Sequence, residues 1–330
     1  MEVFKGGRYS MVGAIQYFMD MSNLRTPALS KLCQKELDVN LGGKTCVVAG
    51  ANGGIGKATA KALAERHGEV HMLCRSRERG EAAKMDIVSA TGNKSVELHI
   101  VDLAECESIH KFCEDFNGKG KEVDILVNNV AILPDALNAT STNLEAGFAT
   151  NLVGWYQLTK SLKYTKTARI VNLVSAGMYA SKLNVPVIAQ GMDARDIDAK
   201  TYDGLMLYSQ HHRGRVLLTE RLAAEFEGIP FNCVHPGWVD TPGLASSKPM
   251  ATFYKKFKDR LRSLEEGADT VVWLAVAESE AATRETGKYW FDRKVRSTHK
   301  VLAGTRSSQA DVDRLVDLVQ RGWKRGMKEG

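Results

Sequence analysis

Short apolar runs alternate with longer amphipathic segments along the chain from Lys44 onward. The runs are four to six residues long and rich in Val, Ile and Leu, which is typical of strands buried on both faces of a sheet. We predict strands at 45–49, 69–74, 96–101, 123–127, 169–174, 230–235 and, as the last, 288–291. Helical periodicity is clearest at 57–67, 144–164 and 206–227.

The regular alternation of strands and helices predicts right-handed crossovers and a mostly parallel sheet with helices on both faces. The expected fold class is α/β, with a single Rossmann-type, doubly wound domain at residues 43–305. Such sheets bind ligands beyond the carboxyl ends of their strands, so functional residues should gather along one edge. A basic C-terminal helix is expected at 306–330, where it ends in Arg321, Lys324, Arg325 and Lys328.

Residues 1–42 form an N-terminal extension that we expect to be helical and packed on the domain. Its apolar positions could line one side of a helix: Val3, Phe4, Met11, Val12, Ile15, Phe18 and Met19. Peripheral membrane contact or a mitochondrial role is the alternative for this segment, although Glu2 and Asp20 argue against a targeting peptide. No stretch approaches the ~20 apolar residues of a membrane span, and the expected location is the cytoplasm.

Composition excludes several function classes. The 330 residues are 44% hydrophobic and 25% charged, which is ordinary for a globular protein. The net charge of +6 arises from 45 basic and 39 acidic side chains, too mild a balance to predict a nucleic-acid partner. The six cysteines form no Cys-x-x-Cys pair and no zinc-ligand spacing, so we expect a reducing compartment and no metal site.

A glycine-rich turn joins the first strand to the first helix. Glycines at 50, 54 and 56 allow a tight turn, close backbone approach to a pyrophosphate and close packing of helix on strand. The helix N-terminus then offers free N–H groups to the anion. The residues predicted to contact a dinucleotide here are Gly50, Asn52, Gly54, Ile55, Gly56 and Lys57.

Arg75, at the end of the second strand, indicates which dinucleotide would bind. An acidic residue at this point usually holds the free ribose hydroxyls of NAD, whereas a basic one suits a 2′-phosphate. Arg75, together with Lys57 in the loop, therefore favours NADP(H), a solvated surface arginine being the alternative. Asp102 and Leu103 follow the third strand and should border the adenine.

Further motifs follow in an order that resembles the short-chain dehydrogenase/reductase family over roughly residues 44 to 300. They are Asn128-Asn129-Val130-Ala131, Asn151, Ser175, Tyr208 with His212, and Pro236-Gly237 with Thr241. Further segments are shared with one subgroup of that family: 235–243, Arg260-Leu261-Arg262, Glu266-Gly267-Ala268-Asp269-Thr270, and Asp292-Arg293-Lys294 with Ser297-Thr298-His299. Matches beyond the cofactor motifs make the resemblance more specific than one of fold alone.

The resemblance implies a role for each matching residue. Tyr208 would exchange a proton with the substrate oxygen while a hydride moves to or from the nicotinamide, and Ser175 would orient the same oxygen. Asn151 would hold a water in the proton relay. Asn129, Pro236, Gly237 and Thr241 would border the cofactor. The alternative for each residue is a purely structural role, in which its polar side chain is buried and hydrogen-bonded without contacting substrate or cofactor.

Three positions depart from the family pattern. Ala49 replaces the usual threonine before the first glycine, and Val130-Ala131 replaces Ala-Gly after the two asparagines. His212 stands where the family has the lysine that binds the nicotinamide ribose and lowers the pKa of the tyrosine. Neutral histidine tunes a phenol poorly, although it could still bind a ribose hydroxyl. Arg215, one turn further, is an alternative cation whose field weakens with distance.

Two functions remain open from the sequence. The first is an NADP(H)-dependent oxidoreductase that interconverts a fairly apolar carbonyl and its alcohol. The second is a catalytically impaired descendant that acts as a nucleotide-binding or protein-interaction module. An apolar stripe at helical spacing, Met250, Phe253, Phe257 and Leu261, could wall a substrate pocket or simply pack. A homodimer could form through the helices at 144–164 and 206–227.

Overall fold

The computed structural model describes residues 36–180, 182–300 and 304–327. The expectations for residues 1–35 therefore lie outside the described residues. The strands are β1 (Thr45–Ala49), β2 (Glu69–Cys74), β3 (Val96–Ile100), β4 (Val123–Asn128), β5 (Tyr164–Leu173), β6 (Phe231–Val234), β7 (Tyr289–Phe291) and β8 (Lys294–Arg296). The first helices are α1 (Gly54–Ala64), α2 (Arg77–Thr91), α3 (Cys106–Gly118) and α4 (Ala146–Phe148). A π-helical segment (Ala149–Gly154) joins α4 to α5 (Trp155–Ser161).

The second half of the chain holds the remaining helices. They are α6 (Val185–Ala189), α7 (Gly204–Ala223), α8 (Pro242–Ser246), α9 (Ala251–Phe257), α10 (Leu264–Val276), α11 (Glu280–Arg284) and α12 (Gln309–Gly326). Short 3₁₀ turns lie at Ala176–Tyr179, Gln190–Met192, Ala194–Asp196 and Lys258–Arg260. The three helices with the clearest periodicity in sequence are α1, the α4–α5 stretch and α7.

The strands form one eight-stranded sheet in the order β3-β2-β1-β4-β5-β6-β7-β8. The first seven are parallel, and β8 returns antiparallel to β7. The prediction of a doubly wound, mostly parallel sheet is confirmed. Two details differ from it: β7 is not the last strand, and β5 begins at Tyr164, where the sequence indicated helix. Strand β8 and the first half of β5 carry exposed polar residues, so neither has the apolar run that marks the other strands.

Apolar side chains pack on both faces of the sheet. One face is covered by α1, α2 and α10 and the other by α3, α5 and α7. Helix α12 belongs to the second layer, because Val312, Leu315, Leu318 and Val319 are buried in the same cluster. The C-terminal helix is thus part of the domain rather than an appendage. It lies against the π-helical segment and α7, two elements of the helix pair expected to form a dimer.

Helix α7 is buried along most of its length, which bears on that dimer. Fifteen of its 20 residues are buried, and Trp155 and Tyr156 also lie beneath the surface, at 1% and 3% exposure. A homodimer through these helices would therefore have to displace α12. No helix in the described part of the chain is long and apolar enough to cross a membrane.

Candidate active site

The glycine turn after β1 has the geometry of an anion site. Gly50 and Gly54 have φ of +78° and +57°, which favours glycine at both positions. A methyl group added at Gly56 would lie 2.2 Å from the carbonyl oxygen of Gly50, so helix and strand touch there. The N-cap residue of α1, Gly53, makes no side-chain cap, and the first turn has no acidic residue. The turn therefore fits a dinucleotide pyrophosphate.

Residues from the other strand ends close over this turn. The amide of Asn129 donates to the carbonyl oxygen of Gly50 at 3.1 Å. Val130 Cγ2 lies 2.8 Å from where a Cβ on Gly50 would be, so the missing side chain of Gly50 makes room for the bulkier valine. The methyl carbon of Thr241 lies 3.7 Å from where a Cβ on Gly54 would be. The structure thus brings four predicted cofactor residues together.

The turn at Pro236 and Gly237 rests on a buried ion pair. Gly237 has φ +83°, and a methyl group there would lie 2.6 Å from the guanidinium carbon of Arg262. Arg262 is 2% exposed and donates to the Pro236 carbonyl at 3.2 Å. It also donates to both carboxylate oxygens of Asp292, at 2.8 and 3.1 Å. Two segments that the sequence shows only as subgroup motifs therefore support the turn at Pro236 and Gly237.

Two arginines lie at the end of β2 and the start of α2, where the sequence predicts one. Arg75 is exposed at the end of β2. Arg79, in the first turn of α2, places Nη2 3.8 Å from the Cβ position of Gly53 in the glycine turn. Sequence reasoning missed Arg79, although its spacing four residues after Arg75 was a usable signal. Lys57 instead pairs with Asp86 at 2.5 Å, on the surface.

The remaining predicted cofactor residues line the same edge of the sheet. The carboxylate of Asp102 accepts the N–H of Ala104 at 2.9 Å, which fixes the turn after β3. Leu103 is buried, and its carbonyl oxygen would lie 2.0 Å from a Cβ on Gly154. Asn52 is half-buried in the glycine turn, whereas Ile55 packs into the core at 9% exposure.

Ser175 and Tyr208 meet as the sequence predicted. Ser175 follows β5, and Tyr208 is half-buried in the second turn of α7. Ser175 lies close enough to Tyr208 to lower the pKa of the phenol, and Ser175 Oγ accepts the N–H of Gly177 at 3.2 Å. Burial raises the pKa of Tyr208 above its ordinary value of 10.0, while Arg215 and Ser175 act in the opposite direction. The phenol is therefore protonated at neutral pH.

His212 fills the place expected for lysine without supplying a charge. Its Nδ1 accepts the backbone N–H of Ser175 at 3.1 Å, and its ring packs edge-on to Tyr208 with 4.2 Å between ring centroids. The residue is 2% exposed. Burial, with Arg215 and neighbouring histidines, holds the pKa of His212 well below 6.5. The imidazole is neutral, and its Nε2 is buried without a hydrogen-bond partner among the described residues.

Asn151 lies in the π-helical segment, a distortion that often occurs at functional sites. Its amide donates to the carbonyl of Ile132 at 2.9 Å and its oxygen accepts the Ile132 N–H at 2.8 Å. The amide also lies 3.4 Å from Nδ1 of His211, whose pKa burial lowers to about 3. Asn151 thus fixes the chain after β4 beside the site, and a neutral imidazole stands next to it.

Arg215 lies fully buried beneath these residues. Its guanidinium donates to three backbone carbonyls, those of Asn151 at 2.6 Å, Val130 at 2.6 Å and Leu173 at 3.2 Å. It also lies over the ring of Trp155, 5.5 Å from the centroid. Burial lowers the pKa of Arg215 to about 9, with Tyr208 acting in the opposite direction, so the side chain is still charged at neutral pH.

A histidine cluster lies elsewhere, on β2 and β3. His71 Nδ1 and His99 Nε2 are 2.9 Å apart, and a carboxylate oxygen of Glu97 lies 3.5 and 3.8 Å from them. Three such groups could hold a divalent cation. However, the two imidazoles already pair with each other, and Lys121 Nζ lies 3.4 Å from His71 Nε2, where its charge opposes a second cation. The cluster is complete as a hydrogen-bonded network.

The predicted apolar stripe is part of a small hydrophobic cluster beside the site. Met250, Phe253 and Leu261 are buried around Trp238, with 4.3 Å between the ring centroids of Trp238 and Phe253. Leu133, after β4, and Leu205, one turn before Tyr208, pack against the same cluster. Ordinary packing accounts for the buried stripe, and the partly buried members give the neighbourhood of Tyr208 an apolar wall.

Comparison with known proteins agrees with this geometry. Residues 44–187 match the profile of the short chain dehydrogenase family. The chain is 40% identical to dehydrogenase/reductase SDR family member 12 of Bos taurus, over 86% of this chain and 88% of that protein. It is 32% identical to retinol dehydrogenase 11 of Mus musculus, over 77% and 81% of the two chains.

Solved structures show the same fold. L-sorbose reductase from Gluconobacter frateurii, complexed with NADPH and L-sorbose, superposes with a TM-score of 0.58 at 21% identity, over 77% of this chain and 96% of that one. A dehydrogenase/reductase from Sinorhizobium meliloti 1021 gives 0.58 at 24% identity, over 78% and 96%. The chain belongs to the short-chain dehydrogenase/reductase family. Members of this family are oxidoreductases that use a nicotinamide dinucleotide to interconvert carbonyls and alcohols.

Proposed function

We propose that this protein is an NADP(H)-dependent oxidoreductase that reduces a fairly apolar aldehyde or ketone. The observation that carries the proposal is the grouping of Ser175, His212 and Tyr208 at the sheet edge that holds the glycine turn: His212 accepts the Ser175 N–H and packs against the Tyr208 ring. Arg75 and Arg79 at the adenosine end suit a 2′-phosphate. The retinol dehydrogenase relatives, which bear the name of an apolar alcohol, support the choice of substrate class.

When bound, the cofactor supplies or accepts the hydride. In the reductive direction, Tyr208 donates its phenolic proton to the substrate oxygen, and Ser175 hydrogen-bonds the same oxygen. Because burial raises the pKa of Tyr208, the donor form predominates at neutral pH. Alcohol oxidation would need the tyrosinate, which is scarce there, so reduction is the favoured direction. The arginines bind the cofactor, while the turn at Pro236 and Gly237 positions its nicotinamide end.

The second candidate, a nucleotide-binding module without turnover, is favoured by one observation. His212 is neutral and buried where the family carries its lysine, so the site lacks the usual cation beside the tyrosine. Nucleotide binding would persist in such a protein because the glycine turn and Arg75 do not depend on His212.

A titration followed by a turnover assay separates the two candidates. NADPH and NADH are titrated against the fluorescence of the five tryptophans, and NADPH consumption is then measured with a panel of aldehydes and ketones that includes retinal. Tyr208→Phe is the matched control. Tighter binding of NADPH than NADH, with turnover that the control lacks, supports the proposal. Binding with no turnover above the control would favour the module, and absence of nucleotide binding would refute both.

A further inference from the structure

The site retains a cation, but not at the lysine position. This inference rests on the proposed function, because it concerns how Tyr208 could work as an acid/base group. A neighbouring positive charge favours the tyrosinate and lowers the pKa of the phenol. His212, His211 and the nearby His235 are all neutral, since burial lowers the pKa of each. Arg215 remains as the charge that faces Tyr208.

Arg215 carries a buried charge that no carboxylate of the described residues pairs. Its side chain is fully buried, and its hydrogen bonds go to three backbone carbonyls, which belong to separate segments of the chain. Buried charges are normally paired with an opposite charge, because desolvation is costly. Arg262 pairs with Asp292, whereas Arg213, like Arg215, donates to backbone carbonyls. Arg215 differs from Arg213 in its position, because one of its carbonyl partners is that of Asn151 in the site.

The three carbonyls place that charge beneath the reacting groups. Val130 follows the two asparagines after β4, and Leu173 precedes Ser175 by two residues. Asn151 is the third support, through its backbone. The guanidinium is therefore fixed on the inner side of the site, behind Ser175 and Tyr208, where water does not screen it.

Arg215 and Tyr208 also lie on the same face of α7. They are seven residues apart, a spacing that returns to one side of a helix after two turns, and long helical side chains point back toward the N-terminus. Arg215 accordingly lowers the pKa of Tyr208, and Tyr208 acts on Arg215 in the opposite direction.

We propose that Arg215 supplies the positive charge that tunes Tyr208, in place of the lysine that His212 replaces. Arg215 is a positioning residue: it acts through the protein interior and touches neither substrate nor cofactor. The two tasks of the family lysine are thus separated. The charge is retained beneath Tyr208, whereas any contact to the nicotinamide ribose is left to the unpartnered Nε2 of the neutral His212.

The titration of Tyr208 tests this independently of turnover. Tyrosine labelled with ¹³C at Cζ is followed by NMR from pH 8 upward, and the Tyr208 signal is assigned by its loss in Tyr208→Phe. In Arg215→Gln we expect the pKa of Tyr208 to rise by at least one pH unit relative to wild type. The dissociation constant for NADPH should change less than about twofold. Arg215→Lys, which keeps a cation, should restore most of the lost shift.

Turnover gives a second readout. The kcat for alcohol oxidation below the Tyr208 pKa should fall at least tenfold in Arg215→Gln, in step with the tyrosinate fraction, while KM for the cofactor stays unchanged. Adding His212→Lys to Arg215→Gln should recover that loss. A folded Arg215→Gln variant with a wild-type Tyr208 titration would overturn the proposal, even if the protein is an active enzyme.

A wild-type comparison covers the case in which Arg215→Gln does not fold. Tyr164 is half-buried like Tyr208, and no arginine of the described residues contributes to its pKa, which burial and Cys113 raise well above 10.0. In the wild-type protein Tyr208 should therefore titrate at lower pH than Tyr164, which Tyr164→Phe assigns. Titration of Tyr208 at or above the pH of Tyr164 would equally overturn the proposal.

Discussion

Replacement of His212 by lysine is the sharpest test of the acid/base site. In the structure the imidazole is neutral, and its ring centroid lies 4.2 Å from that of Tyr208. A lysine ammonium in this place would stand close to the phenolic oxygen. It would favour the tyrosinate, which alcohol oxidation requires, and should therefore raise the oxidation rate at neutral pH.

The size of the effect follows from Coulomb's law and two opposing costs. A unit charge at ~4 Å interacts by about 4 kcal/mol at an effective dielectric constant of ~20. This corresponds to roughly three pKa units at 1.36 kcal/mol per unit. Burial and the nearby charge of Arg215 both disfavour the ammonium, so the net gain is smaller. We expect a fall of about one to two units in the pKa of Tyr208 and a roughly 10- to 100-fold gain in kcat for oxidation at pH 7.

The same substitution should weaken the fold. His212 Nδ1 accepts the backbone N–H of Ser175, and an ammonium cannot accept a hydrogen bond. A buried donor left without a partner costs about 1–3 kcal/mol. His212→Lys should therefore lower the free energy of unfolding by about that amount while it raises turnover.

The assay is the pH dependence of kcat for NADP⁺-dependent alcohol oxidation, with unfolding by urea in parallel. His212→Gln is the matched control, because its side-chain oxygen can accept the Ser175 N–H but carries no charge. The control should keep stability near that of wild type and show no gain in rate. If the lysine variant folds and binds NADPH yet has the wild-type pH profile, the missing charge does not limit the enzyme, and the reasoning is refuted.

Three further outcomes are expected. Arg75→Ser should weaken NADPH binding about 10-fold or more and leave NADH nearly unaffected in the same fluorescence titration, since only NADPH carries the 2′-phosphate; an equal loss for both would disprove the assignment. Gly56→Ala should abolish nucleotide binding, because its methyl group would lie 2.2 Å from the Gly50 carbonyl oxygen; calorimetry showing unchanged binding would contradict this. Cys46, Cys106 and Cys113, whose pKa values burial raises to about 12, should not react with a thiol reagent at pH 8 until the protein unfolds, and mass spectrometry of labelled peptides checks this.

The fold was predictable because its signals are local. Each of the first six strands is an apolar run that is visible in sequence, and the glycine turn follows the first of them. Strand β8 was not predicted because Lys294 and Arg296 are exposed on it, so no apolar pattern marks it. The position of α12 against the π-helical segment and α7 could not be predicted from the sequence either, because an amphipathic pattern does not show which surface covers the apolar face of a helix.

The candidate site was predictable only as far as residue order allowed. The order of Ser175 and Tyr208 is a family pattern, and the structure places both against His212. The support of the Gly237 turn by Arg262 and Asp292 depends on residues 30 positions apart, so no local pattern could reveal it. The orientation of His212 toward the Ser175 backbone likewise depends on tertiary structure, because the two residues are far apart in sequence.

Arg215 decides how the loss of the lysine should be understood. From sequence, its distance from Tyr208 made it a weak candidate; the structure buries it, so its field is not damped by water. A buried cation without a carboxylate partner lowers the stability of the fold. Its hydrogen bonds to the carbonyls of Asn151, Val130 and Leu173 offset part of that cost, because an apolar side chain would leave those carbonyls unpaired. Arg215 therefore has a structural task in a working oxidoreductase and in an inert module alike, and the effect of Arg215→Gln on the titration of Tyr208 shows whether its charge also tunes the phenol.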